Sequence, residues 1–186
     1  MKKVFLTLAA VVFAASGVFA QAGSRIWGVK VGANISAETT SHFGYNVGAT
    51  MDYGITRKAS LFTGLELARK GYELSSGPAN PLYLQLPIHV GYKFQSGGTY
   101  IVPYVGSYLA YSLADNWKNE YYGDYFGEEG IKPLDYGLGF GVGIDCGAYE
   151  VKLGYELGLA NIARDYWYSA SSTNNHNVSV SLSYKF

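Results

Sequence analysis

Apolar and polar residues alternate with period two along most of this chain. That is the pattern of extended strands showing one face to an apolar medium and the other to a polar one. In 134–146, Leu134, Tyr136, Leu138, Phe140, Val142 and Ile144 interleave with Asp135, Gly137, Gly139, Gly141, Gly143 and Asp145. In 82–95, Leu82, Leu84, Leu86, Ile88, Val90, Tyr92 and Phe94 run against Tyr83, Gln85, Pro87, His89, Gly91 and Lys93. The last stretch sets Val178, Val180, Leu182, Tyr184 and Phe186 against Asn177, Ser179, Ser181, Ser183 and Lys185. Read throughout, the pattern predicts eight strands, at 25–36, 42–55, 60–73, 82–95, 99–114, 134–146, 148–162 and 175–186. All are well beyond the five or six residues usual in sheets of soluble proteins. Each is long enough to cross a bilayer when tilted, which takes about 9 to 11 residues.

The connections alternate too. Segments 56–59, 95–98 and 146–148 read as tight turns, whereas 37–41, 74–81, 115–133 and 163–174 are longer. With an even strand number, all short turns fall at one end and all long loops at the other. This predicts an all-β fold, an eight-stranded antiparallel up-and-down transmembrane β-barrel whose turns and both termini face the periplasm of a Gram-negative cell.

Periodicity alone leaves open which face is inside, since a secreted lipocalin-like barrel would reverse the two. Composition favours the membrane. The chain has 24 Gly and 18 Tyr in 186 residues, and the glycines crowd the small or charged face, as the interior of a narrow barrel requires. The apolar face ends in aromatics, and Trp27, Tyr53, Phe94, Tyr149, Tyr184 and Phe186 are predicted to form a girdle near the periplasmic rim. Residues 1–20 read as a signal peptide: Lys2 and Lys3, an apolar run too short to span a bilayer, then Val18-Phe19-Ala20, so that the barrel domain is 21–186. Its removal leaves 12 basic and 14 acidic residues. Neither disorder nor nucleic-acid binding fits that balance. A single cysteine, Cys146, excludes a disulfide scaffold and reads as a free thiol.

Several segments resemble the small PorT-like outer-membrane β-barrel proteins of Bacteroidetes-type bacteria, which share the eight-stranded architecture of OmpX/OmpA-type barrels. Gly28-Val29-Lys30-Val31-Gly32-Ala33-Asn34-Ile35-Ser36 is similar to the family's opening G-x-K-x-G-x-N-x-S, and Gly64-Leu65 with Lys70-Gly71 to its third strand. Tyr83-Leu84-Gln85-Leu86-Pro87 followed by Gly91-Tyr92-Lys93-Phe94 is the most specific piece, with Pro103-Tyr104-Val105-Gly106 and the glycine-rich stretch after Asp135 in agreement. The terminal Leu182-Ser183-Tyr184-Lys185-Phe186 resembles the aromatic-ended strand recognised for outer-membrane assembly, with Ser183 where a glycine is often found. The resemblance implies fold and location, Leu182, Tyr184 and Phe186 as an assembly signal, and no catalytic motif.

Strand parity turns Lys30, Lys70, Lys93, Lys152 and Lys185 inward with Asp52, Glu66, Asp135, Asp145, Glu150 and Glu156. Near-balanced charge in a narrow lumen reads as an ion-paired polar core, where a one-sign lining would suggest a selective pore. The expected function is accordingly a structural or surface-interaction barrel. Loop-mediated adhesion or ligand binding is the alternative, and a small lipid-modifying enzyme a weaker one. Trp117, Tyr121, Tyr122, Tyr125, Phe126, Tyr166, Trp167 and Tyr168 in the two longest loops are candidate contacts for an extracellular ligand, although aromatics there could equally cap the barrel mouth or touch lipid headgroups. His42 and His176, with Glu38, fall at the loop end, but no HExxH motif, nucleophile elbow or metal-ligand spacing accompanies them. No cofactor, metal or nucleic acid is expected. The expected partners are outer-membrane lipid and, during biogenesis, the barrel assembly machinery.

Overall fold

The computed structural model describes residues 23–36, 42–70, 72–74, 77–79, 81–114, 118–119, 123–124, 133–160 and 176–186. Eight long strands make the barrel: β1 (Arg25–Ser36), β2 (Phe43–Gly54), β3 (Ala59–Arg69), β4 (Leu82–Tyr92), β5 (Thr99–Ala114), β6 (Leu134–Asp145), β7 (Tyr149–Gly158) and β8 (His176–Lys185). Each pairs antiparallel with its neighbour in sequence, and β8 pairs with β1 from Gly28↔Lys185 to Ser36↔Asn177. The sheet therefore closes on itself and leaves no long free edge.

Two departures from the predicted strands have local causes. The segment predicted at 60–73 ends at Arg69, and Tyr72–Leu74 pairs instead with Gly77–Ala79 in a separate short hairpin. The segment predicted at 82–95 breaks at Lys93, whose amide donates to the Lys58 carbonyl at 2.6 Å, and resumes as Phe94–Ser96 beside Thr99–Ile101. The β4–β5 ladder lapses over Tyr92 and Lys93, with Pro103 opposite Tyr92, and between β3 and β4 it lapses opposite Pro87. Neither proline has an amide to donate.

The three turns at one end are short and self-braced. Thr56 Oγ1 accepts the amides of Lys58 (3.2 Å) and Ala59 (2.9 Å). Gly97 closes the β4–β5 turn at φ 61°. At the β6–β7 turn Gly147 takes φ 87° and its amide donates to Asp145 Oδ1 at 2.9 Å. Positive φ suits glycine at both positions. The beginning of β1 and the end of β8 lie at this turn end, and Ser36, Arg69, Ala114 and Gly158 end their strands at the opposite, loop end.

Outside, Val29, Val31, Ile35, Val105, Leu138, Phe140, Val142, Leu153, Val180 and Leu182 are all exposed, an apolar surface of the kind that lipid covers favourably. From Trp27 to Ile35 the outward row spans about 27 Å along the strand. At a tilt of about 40° this gives about 20 Å of height, close to the band of a membrane barrel. Tyr53, Leu84 and Leu86 share the outward register but are buried; Tyr53, at 3% exposure, is thus placed unlike the other five predicted girdle residues.

Candidate functional site

Inward parity delivers eleven charged side chains to the lumen, and the structure pairs all of them. At the turn end Lys185 Nζ reaches Asp145 (2.8 Å), Asp52 (3.3 Å) and Glu150 (3.5 Å), so one cation joins β8 to β2, β6 and β7. Asp145 and Glu150 face each other in register across β6 and β7, an arrangement that repels unless a cation stands between them. Lys93 lies 4.0 Å from Asp145, and Lys152 lies 3.1 Å from Glu150 with its ammonium 4.1 Å from the centre of the Phe62 ring. Midway, Lys30 pairs with Glu66 at 2.6 Å. At the loop end Lys70, 1% exposed, sits 2.7 Å from Glu156 and 4.0 Å from Asp135, over the ring of Tyr108 at 4.3 Å. Gln85 donates to Glu156 at 2.6 Å, and the Tyr108 hydroxyl donates to Asp135.

Neutral side chains occupy much of the remaining volume, and the glycines of β6 make room for them. A Cβ at Gly137 would lie 2.9 Å from the Tyr108 hydroxyl, at Gly139 2.5 Å from His89 Nε2, and at Gly141 2.6 Å from the Tyr104 hydroxyl. Large rings from β4 and β5 thus lie across the bare backbone of β6. A cavity of ≈ 50 Å³ remains, bordered by Lys30, Glu66, Gln85, His89, Lys152 and Glu156. It has space for a few waters and falls far short of the several hundred Å³ of a small-molecule pocket.

Five predicted girdle aromatics are exposed at the turn end. The rings of Tyr149 and Tyr184 pack at a tilt with centres 5.3 Å apart, those of Tyr184 and Phe186 likewise at 6.4 Å, and the Phe186 amide donates to the Trp27 carbonyl at 2.8 Å, while Phe94 packs on Tyr92 at 4.8 Å. Leu182, Tyr184 and Phe186 form one outward row on β8 and its end. Cys146 is a free, exposed thiol. His176 stacks on Tyr155 at 6.3 Å, His89 lies in the lumen, and the described residues contain no group of three or more potential metal ligands. Glu38 and the loop aromatics Trp117, Tyr121, Tyr122, Tyr125, Phe126, Tyr166, Trp167 and Tyr168 lie outside the described residues, as does the predicted signal peptide. Counting charges alone overlooked Tyr108, Gln85, Phe62 and Tyr104 as partners of the lumen ions. The even-numbered positions of 99–114 carried the signal that Tyr104 and Tyr108 face inward.

A family model described as outer membrane protein beta-barrel domain matches residues 19–164. Among solved structures the chain is similar to Neisserial surface protein A, at 12% identity and TM-score 0.53 over 89% of this chain and 100% of that one. It is also similar to Ail, the attachment invasion locus protein of Yersinia pestis, solved with the heparin analogue sucrose octasulfate (11% identity, TM-score 0.49, 88% and 99% covered). A third is the outer membrane enzyme PagL (16% identity, TM-score 0.48, 84% and 98% covered). At these identities the likeness concerns the fold alone. No curated protein matches the chain.

Proposed function

This chain belongs to the outer membrane protein β-barrel domain family, and from that premise we propose a structural or surface-interaction role in which the barrel is a closed anchor and the loop end is the working surface. The filled lumen carries this reading. Matched cations and carboxylates span it from end to end, and the cavity between them has space for a few waters. A conducting pore would instead need an open, wetted path.

In this reading residues 1–20 are removed on export, the tight turns and both termini face the periplasm, and loops 37–41, 74–81, 115–133 and 163–174 face outward. The barrel assembly machinery is a transient partner and outer-membrane lipid a permanent one. The segments around Gly28–Ser36 and Tyr83–Pro87 support membership of the PorT-like branch. The aromatic content of 115–133 and 163–174 favours adhesion or ligand capture as the task performed there.

Planar-bilayer recording of the purified barrel tests the closed anchor. The expected trace is silent, and stable unitary conductance steps would overturn it. Glycan and lipid arrays probed with intact barrel and with a version shortened in 115–133 test the working surface. Loop-dependent capture supports it, whereas turnover of an arrayed lipid would replace it with an enzymatic role.

A further inference from the structure

Charge is sorted by face more strictly than a paired lumen demands. All the carboxylate side chains the structure describes, those of Asp52, Glu66, Asp135, Asp145, Glu150 and Glu156, belong to the lumen. The described charged side chains outside it are basic, namely Arg25, Arg57, Lys58 and Arg69. Three of these four gather at the turn end on neighbouring strands. Arg25 lies in register with Tyr53, and the Ser24 carbonyl accepts the Gly54 amide at 3.0 Å, so the β2–β3 turn that carries Arg57 and Lys58 projects beside the beginning of β1. That turn is held in shape by the Thr56 side chain and by the Lys93 amide on the Lys58 carbonyl. Arg25, Arg57 and Lys58 are all exposed. Exposed Trp27, Ile55, Tyr92 and Phe94 flank them.

Cations one step beyond an aromatic rim stand at the depth of lipid phosphates, where long basic side chains carry their charge to the interface. A zwitterionic headgroup brings an ammonium of its own, which the exposed cations of Arg57 and Lys58 repel. An anionic headgroup brings phosphate without that cation. We propose that Arg57 and Lys58, with Arg25, form a binding site for the phosphate-bearing headgroup of an anionic phospholipid and select it over zwitterionic lipid in the leaflet around the turn end.

The test uses barrel purified from membranes and placed in nanodiscs of equal parts phosphatidylglycerol and phosphatidylcholine, with retained lipids counted by native mass spectrometry. The native protein is expected to retain phosphatidylglycerol preferentially, and R57Q and K58Q are each expected to lose about fivefold of that preference. The charge-conserving R57K/K58R pair keeps it, R69Q at the loop end keeps it, and added salt weakens it. Heat-dependent gel mobility confirms that each variant is folded. Equal retention of the two lipids by the native barrel would overturn the proposal. So would a preference that survives both R57Q and K58Q, or one that follows Arg69.

Discussion

Phe140 and Gly141 are consecutive residues of β6 that meet opposite media. The Phe140 side chain is 46% exposed and packs beside Tyr155 at 5.4 Å on the lipid face. Phe140→Arg should therefore destabilise the barrel by about 2 to 4 kcal/mol, the cost of an arginine facing lipid near the midplane. Equilibrium refolding in lipid vesicles measures it, and an unchanged midpoint would mean that this face does not meet lipid. Gly141 is constrained from within. A Cβ there would lie 2.6 Å from the Tyr104 hydroxyl and 2.8 Å from the Gly154 Cα, so the neighbouring backbone as well as a ring would have to yield. Gly141→Val should cost about 1 to 3 kcal/mol by overpacking. Adding Tyr104→Phe should recover only part of that loss, because the backbone contact persists. Full recovery would show that the hydroxyl alone sets the limit.

At the scale of the strand, β8 owes its place to both of its neighbours and to one ion cluster. Lys185 meets Asp145 and Glu150 on β6 and β7, and it meets Asp52 on β2, which lies across the β1–β8 seam. The last contact requires the closed barrel. Lys185→Met should leave buried carboxylates under-compensated and cost about 3 to 5 kcal/mol, and Glu150→Gln in the same chain should restore part of it. Lys152→Met should cost less, because Lys152 reaches Glu150 and not Asp145 in this cluster. Strictly additive losses in the Lys185 and Glu150 double-mutant cycle would mean that the two do not interact. Much of this was legible in the sequence, since period-two parity in β6, β7 and β8 determines which charges face inward. The identity of the shared partner was not. Parity assigns Lys152 and Lys185 to the same face, whereas which of them bridges Asp145 and Glu150 depends on strand stagger around the closed barrel. The break at Lys93 was likewise illegible, because the ladder lapses from the preceding Tyr92, where Pro103 of another strand falls opposite.

At the scale of the whole molecule, membership in an outer-membrane barrel family and a closed sheet with an apolar exterior leave assembly as the step at which the chain is most exposed. The sequence predicted the outward face by alternation, yet it did not distinguish Tyr53, Leu84 and Leu86, which share that face and are buried. Alternation reports orientation relative to the sheet and says nothing of what lies over it. Closure depends on the β1–β8 seam, which runs from Ser36↔Asn177 to Gly28↔Lys185 and is extended by the Phe186 amide on the Trp27 carbonyl. Phe186 also continues the aromatic row of Tyr184 at the rim, where such side chains settle at the membrane interface. Deleting Phe186 removes the seam bond and the ring, whereas Phe186→Ala removes the ring alone. Both variants should lower the amount of folded barrel recovered in the outer membrane, the deletion more than the substitution. Fractionation followed by heat-dependent gel mobility separates folded from unfolded chain. Native levels of folded protein for both variants would show that neither the seam bond nor the rim aromatic matters to insertion. An equal loss in the two would assign the effect to the ring.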